Sequence, residues 1–432
     1  MYDRRDVINN IVTSQYNFLP AKNLSMKKQF VLLIFIAFVC LLNQANAQTA
    51  TEFNNQGLAK FKAKNYAAAL LDFNKAVELD AKNEKALHNR GLVKYALKDY
   101  AGSIADHTSA IALNAAYSNA YNDRGMAYYR QNNNAAALND YNAAIKNDPA
   151  YFQAYKNRAT VQYALKNYEA ADKDYAKCIE LKPDEADGYL GRGSIKSNQN
   201  NNIEAIKYYD KAIEYEPGNT VALLNRGNAK FAEKDVQGAL ADYLKVIQLQ
   251  PNNVNVYFNL GTIYMTQNKS NEAIAAYRKY NMGLPNEWSG YKNTGDVYYL
   301  QLTKYDSAEY YYDKAYQINK SQKDVIERYG YSLLNQKKIP EAIAMFKNQI
   351  ALLPNDYWGY YNLGAAYSVG KQPQESIKNL GIALDKRMVE LAYWESDKNL
   401  NTVRLFDEFR ELLKKYFNKD ILAKYPKMFF GF

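Results

Sequence analysis

The chain has 432 residues, 48% hydrophobic and 23% charged, which is enough apolar material for a large core and too much for a disordered chain. Its formal net charge is +10, but Lys and Arg alternate with Asp and Glu and no run of five or six like charges occurs, which argues against a nucleic-acid surface. Two cysteines and two histidines, with no metal-ligand spacing among them, argue against a disulfide scaffold and a zinc site.

Residues 1–25 do not read as a targeting segment and are expected to be an upstream extension, with translation starting at Met26. From Met26 the sequence is MKKQFVLLIFIAFVCLLNQANAQ. Lys27 and Lys28 precede an apolar run over 30–42, and Ala45-Asn46-Ala47 follows as a small-residue cleavage site. That order is the pattern of a secretory signal over 26–47, with Gln48 the first mature residue. A helix of that run spans ~20 Å of a ~30 Å hydrocarbon core, so no stable membrane insertion is expected after cleavage. Phe38 and Val39 are bulky for a lipoprotein site at Cys40. The expected destination is the periplasm or cell envelope, with secretion as an extension of the same route. Cleavage would leave Cys178 alone, as an inert core thiol.

The region 48–390 repeats. Pro149, Pro183, Pro217, Pro251 and Pro285 are 34 residues apart, and Pro354 follows after 69. Gly57, Gly91, Gly125, Gly193, Gly227, Gly261 and Gly295 keep the same beat, with Ala159 in the one gap, and Gly330 and Gly364 follow a one-residue slip within 296–330. In the first unit Gly57 lies on a helix A, Asn65 marks a turn, and Ala69, Phe73 and Ala76 form one stripe of a helix B. Small residues let the two helices approach closely, and the late proline ends helix B.

This period and landmark set resemble the tetratricopeptide repeat family. The units are 50–83, 84–117, 118–151, 152–185, 186–219, 220–253, 254–287, 288–322, 323–356 and 357 to about 390. The resemblance implies an all-α solenoid, a right-handed superhelix of antiparallel helix pairs with helix A on the concave side. Departures are His107 at the aromatic position 24, Tyr280 and Gln349 at the small position 27, and a poor tenth unit with Pro373 and Ser376. The segment 391–432 resembles the helical cap that follows such arrays, and its final KMFFGF is expected to pack on the last helices.

No catalytic motif is present: no phosphate-binding loop, GxSxG, HExxH or kinase signature occurs, so no catalytic residue, metal ligand or cofactor is assigned. Most of the 41 tyrosines fall at positions the repeat uses for packing. Those at position 12, Tyr95, Tyr129, Tyr163 and Tyr299, border the groove and are candidate ligand contacts.

Two ladders remain. Position 7 is Arg90, Arg124, Arg158, Arg192 and Arg226, while position 23 is Asp72, Asp106, Asp140, Asp174 and Asp242. Pairing within a unit and pairing with the next unit fit the spacing equally. Either reads as ion pairs setting helix register, the rival being a basic stripe for an acidic partner. Position 6 is Asn55, Asn89, Asn157, Asn225, Asn259, Asn293 and Asn362, with Asp123 in the third unit. In the family this position faces the groove, and the row resembles the asparagine ladder of the O-GlcNAc transferase family, which can hold the backbone of an extended peptide. The plain alternative is that these asparagines are repeat consensus, bonding their own helix or water. The family's carboxylate clamp is absent, since Asn228, its only position 9 asparagine, sits with Leu224, Ser289 and Asn293 where the clamp needs other residues. The expected function is a non-catalytic scaffold binding an extended protein segment. The alternatives are a structural envelope subunit docking by its convex face or caps, and a glycan-binding module.

Overall fold

The computed structural model describes residues 49–428, and the described chain is all helix and turn, without strands. The signal and upstream segment, and residues 429–432 of the aromatic tail, lie outside the described residues.

Each helix A begins at the first position of its expected unit. Repeat 3 is typical, with helix A at Ser118–Arg130 and helix B at Asn134–Asn147. Polar caps start the B helices: the Asn65, Asp99, Asn133, Asn201 and Asp235 side chains each accept from a backbone N–H one turn in. The A–B turn is closed by a residue with left-handed φ, for example Lys64 at 59°. The Asn65 N–H reaches back to the Lys60 carbonyl at 2.9 Å, and the Lys64 N–H to that of Phe61 at 2.9 Å. This is a Schellman ending made without glycine. The prolines stand two residues beyond the end of helix B, as at Pro149 after Asn147.

Glycine at position 8 seats the ring at position 24. A Cβ at Gly227 would lie 2.6 Å from the Tyr243 ring. Where Ala159 replaces this glycine, Tyr175 is 8% exposed, against 1% for Tyr141 and 2% for Tyr243. The side-chain face of each B helix is therefore shaped by its own A helix.

The chain divides after Pro183 into two compact units. In the first, each of four helix pairs packs on the next. The second holds six pairs, from Ala186–Asn198 onward, and ends in a cap. The slip in the period is absorbed by a π-turn, Val297–Gln301, which follows helix A of repeat 8, Trp288–Asp296. Oversized position 27 residues are met by the following helix. Gly290 leaves room for Tyr280, since a Cβ there would lie 2.4 Å from its ring, and Gln349 accepts a hydrogen bond from Asn362 at 3.2 Å.

In the cap, the helices Leu391–Ser396 and Asp407–Tyr416 bury Trp394, Phe409 and Leu413 against Tyr361 and Leu380 of repeat 10. Met428, at the start of the aromatic tail, joins the same cluster. Buried Arg404 donates to the carbonyls of Trp394, Glu395 and Asp397, the last two at 2.9 and 3.0 Å. It thereby satisfies the C-terminal carbonyls of a helix too short to have other partners.

Candidate functional site

The A helices carry the arginine and asparagine rows, and the B helices carry the aspartates. The arginine–aspartate pairs form within a repeat. Arg90, Arg124, Arg158 and Arg226 each grip the aspartate sixteen residues on with both Nε and Nη2, as in Arg124 to Asp140 at 2.8 and 2.7 Å. The remaining nitrogen, Nη1, reaches the preceding repeat: Asn74, Thr108, Asn142 and Asp210 accept it from Arg90, Arg124, Arg158 and Arg226. Hydrogen bonding to Asp140 holds the Arg124 guanidinium above its ordinary pKa. The aspartates are buried, so each pair is a register device joining three helices. Arg192 has no aspartate at position 23 and lies instead over the Tyr208 ring, 4.8 Å from its centre.

The asparagine row proves to be half of a second inter-repeat joint. Asn89 donates to Asn54 and Asn157 to Asn122, both at 2.9 Å, so position 6 bonds position 5 of the preceding repeat. Between them His88 and Asp123 make the same rung at 2.7 Å. Asn259 donates at 2.9 Å to Asn228, and Asn293 to the Tyr277 hydroxyl at 3.5 Å. Asn55 is exposed. Asn225 has no hydrogen-bond partner among the described residues, because Leu190 stands where Asn54 and Asn122 stand in other rungs. Asn362 is a correction: it is wholly buried between Gln349 and Tyr331 and cannot touch a ligand. Each rung uses one N–H of the amide and leaves the carbonyl oxygens of Asn89, Asn157 and Asn259 as acceptors a ligand could use.

The position 12 tyrosines are half-buried rather than displayed. Tyr95 meets Tyr100 and Tyr163 meets Tyr168 edge-on, at 5.4 and 5.6 Å, clamping each A–B turn. The Tyr95 hydroxyl accepts from Arg130 at 2.9 Å, and Tyr129 packs on the cluster around Tyr141. His107 is wholly buried beneath Gly91, and desolvation lowers its pKa from 6.5 to about 4. It is a neutral filler of an aromatic position. Cys178 is buried.

Sequence reasoning missed a cleft of about 470 Å³ lined by Tyr299 of the π-turn, by A-helix residues of repeats 9 and 10 and by Tyr393 of the cap. Its signal was present but faint: Arg328 breaks the asparagine column at position 6, and Glu327 stands beside it.

Family models described as tetratricopeptide repeat match residues 53–83, 122–186, 186–219 and 257–323, and one described as TPR repeat matches 227–268. The chain is a tetratricopeptide repeat protein. No curated protein matches it. Among solved structures, a tetratricopeptide repeat protein from Parabacteroides merdae is 20% identical, with 58% of this chain and 99% of that one covered and a TM-score of 0.47. YrrB, described as a TPR protein with an unusual peptide-binding site, is 20% identical over 43% of this chain and 95% of that one, with a TM-score of 0.36. Yeast Tom70 is 15% identical over 87% of this chain and 98% of that one, with a TM-score of 0.37.

As a tetratricopeptide repeat protein it is a protein–protein interaction scaffold, and the family is in general a non-enzymatic module that binds protein or peptide partners. Among the described residues no helix is long and apolar enough to cross a membrane, and no group of His, Cys, Asp and Glu could hold a metal ion.

Proposed function

We propose that this tetratricopeptide repeat protein is an exported scaffold of the bacterial envelope that holds an extended polypeptide along its A helices. The observation that carries the reading is that the position 6 asparagines on A helices in both units, Asn89 and Asn157 in the first and Asn259 in the second, keep a carbonyl oxygen open while the rungs behind them fix their orientation. Oriented side-chain acceptors suit the N–H groups of an extended backbone, and preformed ones lose little entropy on binding. The most exposed apolar side chains, Met282, Leu71, Leu405 and Ile203, fall at three different repeat positions and one place in the cap, so no single repeat position supplies an apolar docking face.

Site-specific photo-crosslinking tests the groove. A probe at Asn225 on helix A is expected to capture a protein partner in envelope extract, and a probe at exposed Leu244 on helix B is not. Capture at 244 and not at 225 would move the binding surface away from the A helices. Export has its own test: the native chain should begin at Gln48, and a mature chain retaining 26–47 would refute the signal reading.

A further inference from the structure

The cleft at the end of the second unit differs in chemistry from every rung of the ladder. Tyr299 reaches it from the π-turn, Tyr331 from helix A of repeat 9, Lys323–Asn335, Trp358 from helix A of repeat 10, Tyr357–Val369, and Tyr393 from the cap. Trp358 and Tyr393 stand edge to face with centroids 5.0 Å apart. The Tyr331 hydroxyl donates to Asn362 at 2.6 Å, and Tyr299 accepts from Asn335 at 2.9 Å. Two of the four aromatic walls, Tyr299 and Tyr331, are thus held by hydrogen bonds at their hydroxyls.

The charges are arranged to leave one carboxylate over. Lys323 is held by Asp356 at 2.8 Å. Arg328 lies over the Tyr299 ring and 4.0 Å from Asp296, which Lys292 also binds at 2.6 Å. Glu327 and Asp324 line the same cleft and have neither a hydrogen bond nor an ion pair among the described residues. Asp324 is exposed and solvated, but Glu327 is half-buried, and burial pushes its carboxyl above the ordinary range. Lys323 and Arg328 offset part of that burial from a distance, and a cation within hydrogen-bond reach of the Glu327 carboxylate would offset more of it. Ring faces around such a carboxylate add attraction for a positive charge.

We propose that this cleft is a specificity pocket for a cationic side chain, arginine or lysine, of the bound polypeptide. The proposal rests on the reading that the A helices hold an extended segment, and adds that the segment is selected by a positive residue at the repeat 8–10 end. The π-turn is part of the device, because Tyr299 enters the wall from it.

The test titrates the whole mature chain, residues 48–432, with blocked nine-residue alanine peptides carrying a central Arg, Lys, Gln or Glu, followed by calorimetry and by tryptophan fluorescence. A Trp358→Phe variant assigns the fluorescence signal. The Arg and Lys peptides are expected to bind at least ~10-fold more tightly than the Gln peptide and to change Trp358 emission. Glu327→Gln should remove that preference, while Asp420→Asn, far along the cap sequence, should keep it. Equal binding of all four peptides would overturn the pocket and leave the groove reading standing. Absence of peptide binding, with crosslinking at 225 intact, would also overturn the pocket alone; loss of both would remove the groove reading with it. A Trp358 response to neutral oligosaccharides and not to the Arg peptide would overturn the proposal in favour of a glycan site. The wild-type peptide series decides the matter even if Glu327→Gln fails to fold.

Discussion

Repeats 2–4 and repeats 8–10 use the same helix pair for different ends. In the first group each joint is made alike: an arginine bidentate to its own aspartate and reaching back one repeat, and a position 5 to position 6 rung behind it. In the second group no joint repeats. Asp296 is shared between Lys292 and the Tyr312 hydroxyl, Tyr280 fits over Gly290, and Asn362 is withdrawn into the core. The regular group spends its polar groups on register. The irregular group leaves Glu327 without an ion pair among the described residues, and the candidate pocket lies there.

The comparison can be broken by removing equivalent cations. Arg124→Ala strands Asp140, which is 5% exposed, and is expected to destabilise the first unit by about 4 kcal/mol. Lys292→Ala should cost about 2 kcal/mol or less, since Asp296 keeps the Tyr312 hydroxyl at 2.8 Å. Denaturant melts of the two variants check the order, and equal losses would show that the two kinds of joint are energetically alike.

The contrast between repeats 2 and 3 can be sharpened by pH. His107 has a folded pKa of about 4 against an ordinary 6.5, so between these values the unfolded chain binds the extra proton. Its contribution is fully present above pH 6.5 and falls away as pH drops toward 4, a loss of about 3 kcal/mol. His107→Phe, which copies Phe73 against Gly57, should abolish that slope in melts taken across the window. A slope that survives would place the acid sensitivity elsewhere.

The smallest effect concerns the turns. Thr303 adopts φ 51°, where its β-branch is strained, while Asn132, Asn200 and Asn268 hold the same place more comfortably. Thr303→Gly is expected to stabilise the second unit by about 1 kcal/mol, read as a raised melting midpoint. An unchanged midpoint would mean that the π-turn beside it absorbs the strain.

Much of this was legible in the sequence. The start of every helix A, the seating of rings on position 8 glycines and the burial of His107 and Cys178 follow from period and residue size. The direction of the ion pairs was not legible, because sixteen residues forward and eighteen back are equally close in sequence and only the hairpin brings Arg124 to Asp140. The asparagine row was visible, but its use depended on a second column, Asn54, His88 and Asn122, that has no single residue type. The cleft escaped because its walls come from three repeats and the cap, and a reading column by column treats Glu327 and Arg328 as noise.

The match between Tyr280 and Gly290 bears on how such a chain can be inherited. The bulky ring belongs to repeat 7 and the hollow that receives it to repeat 8. Duplicating or deleting either repeat alone would set a knob against a filled surface, or a hollow against a small residue. Gln349 and Asn362 are tied across the next such boundary but one. In this part of the molecule the heritable module is therefore the joint, a B helix with the A helix after it, and the 34-residue sentence is only how the joint is spelled.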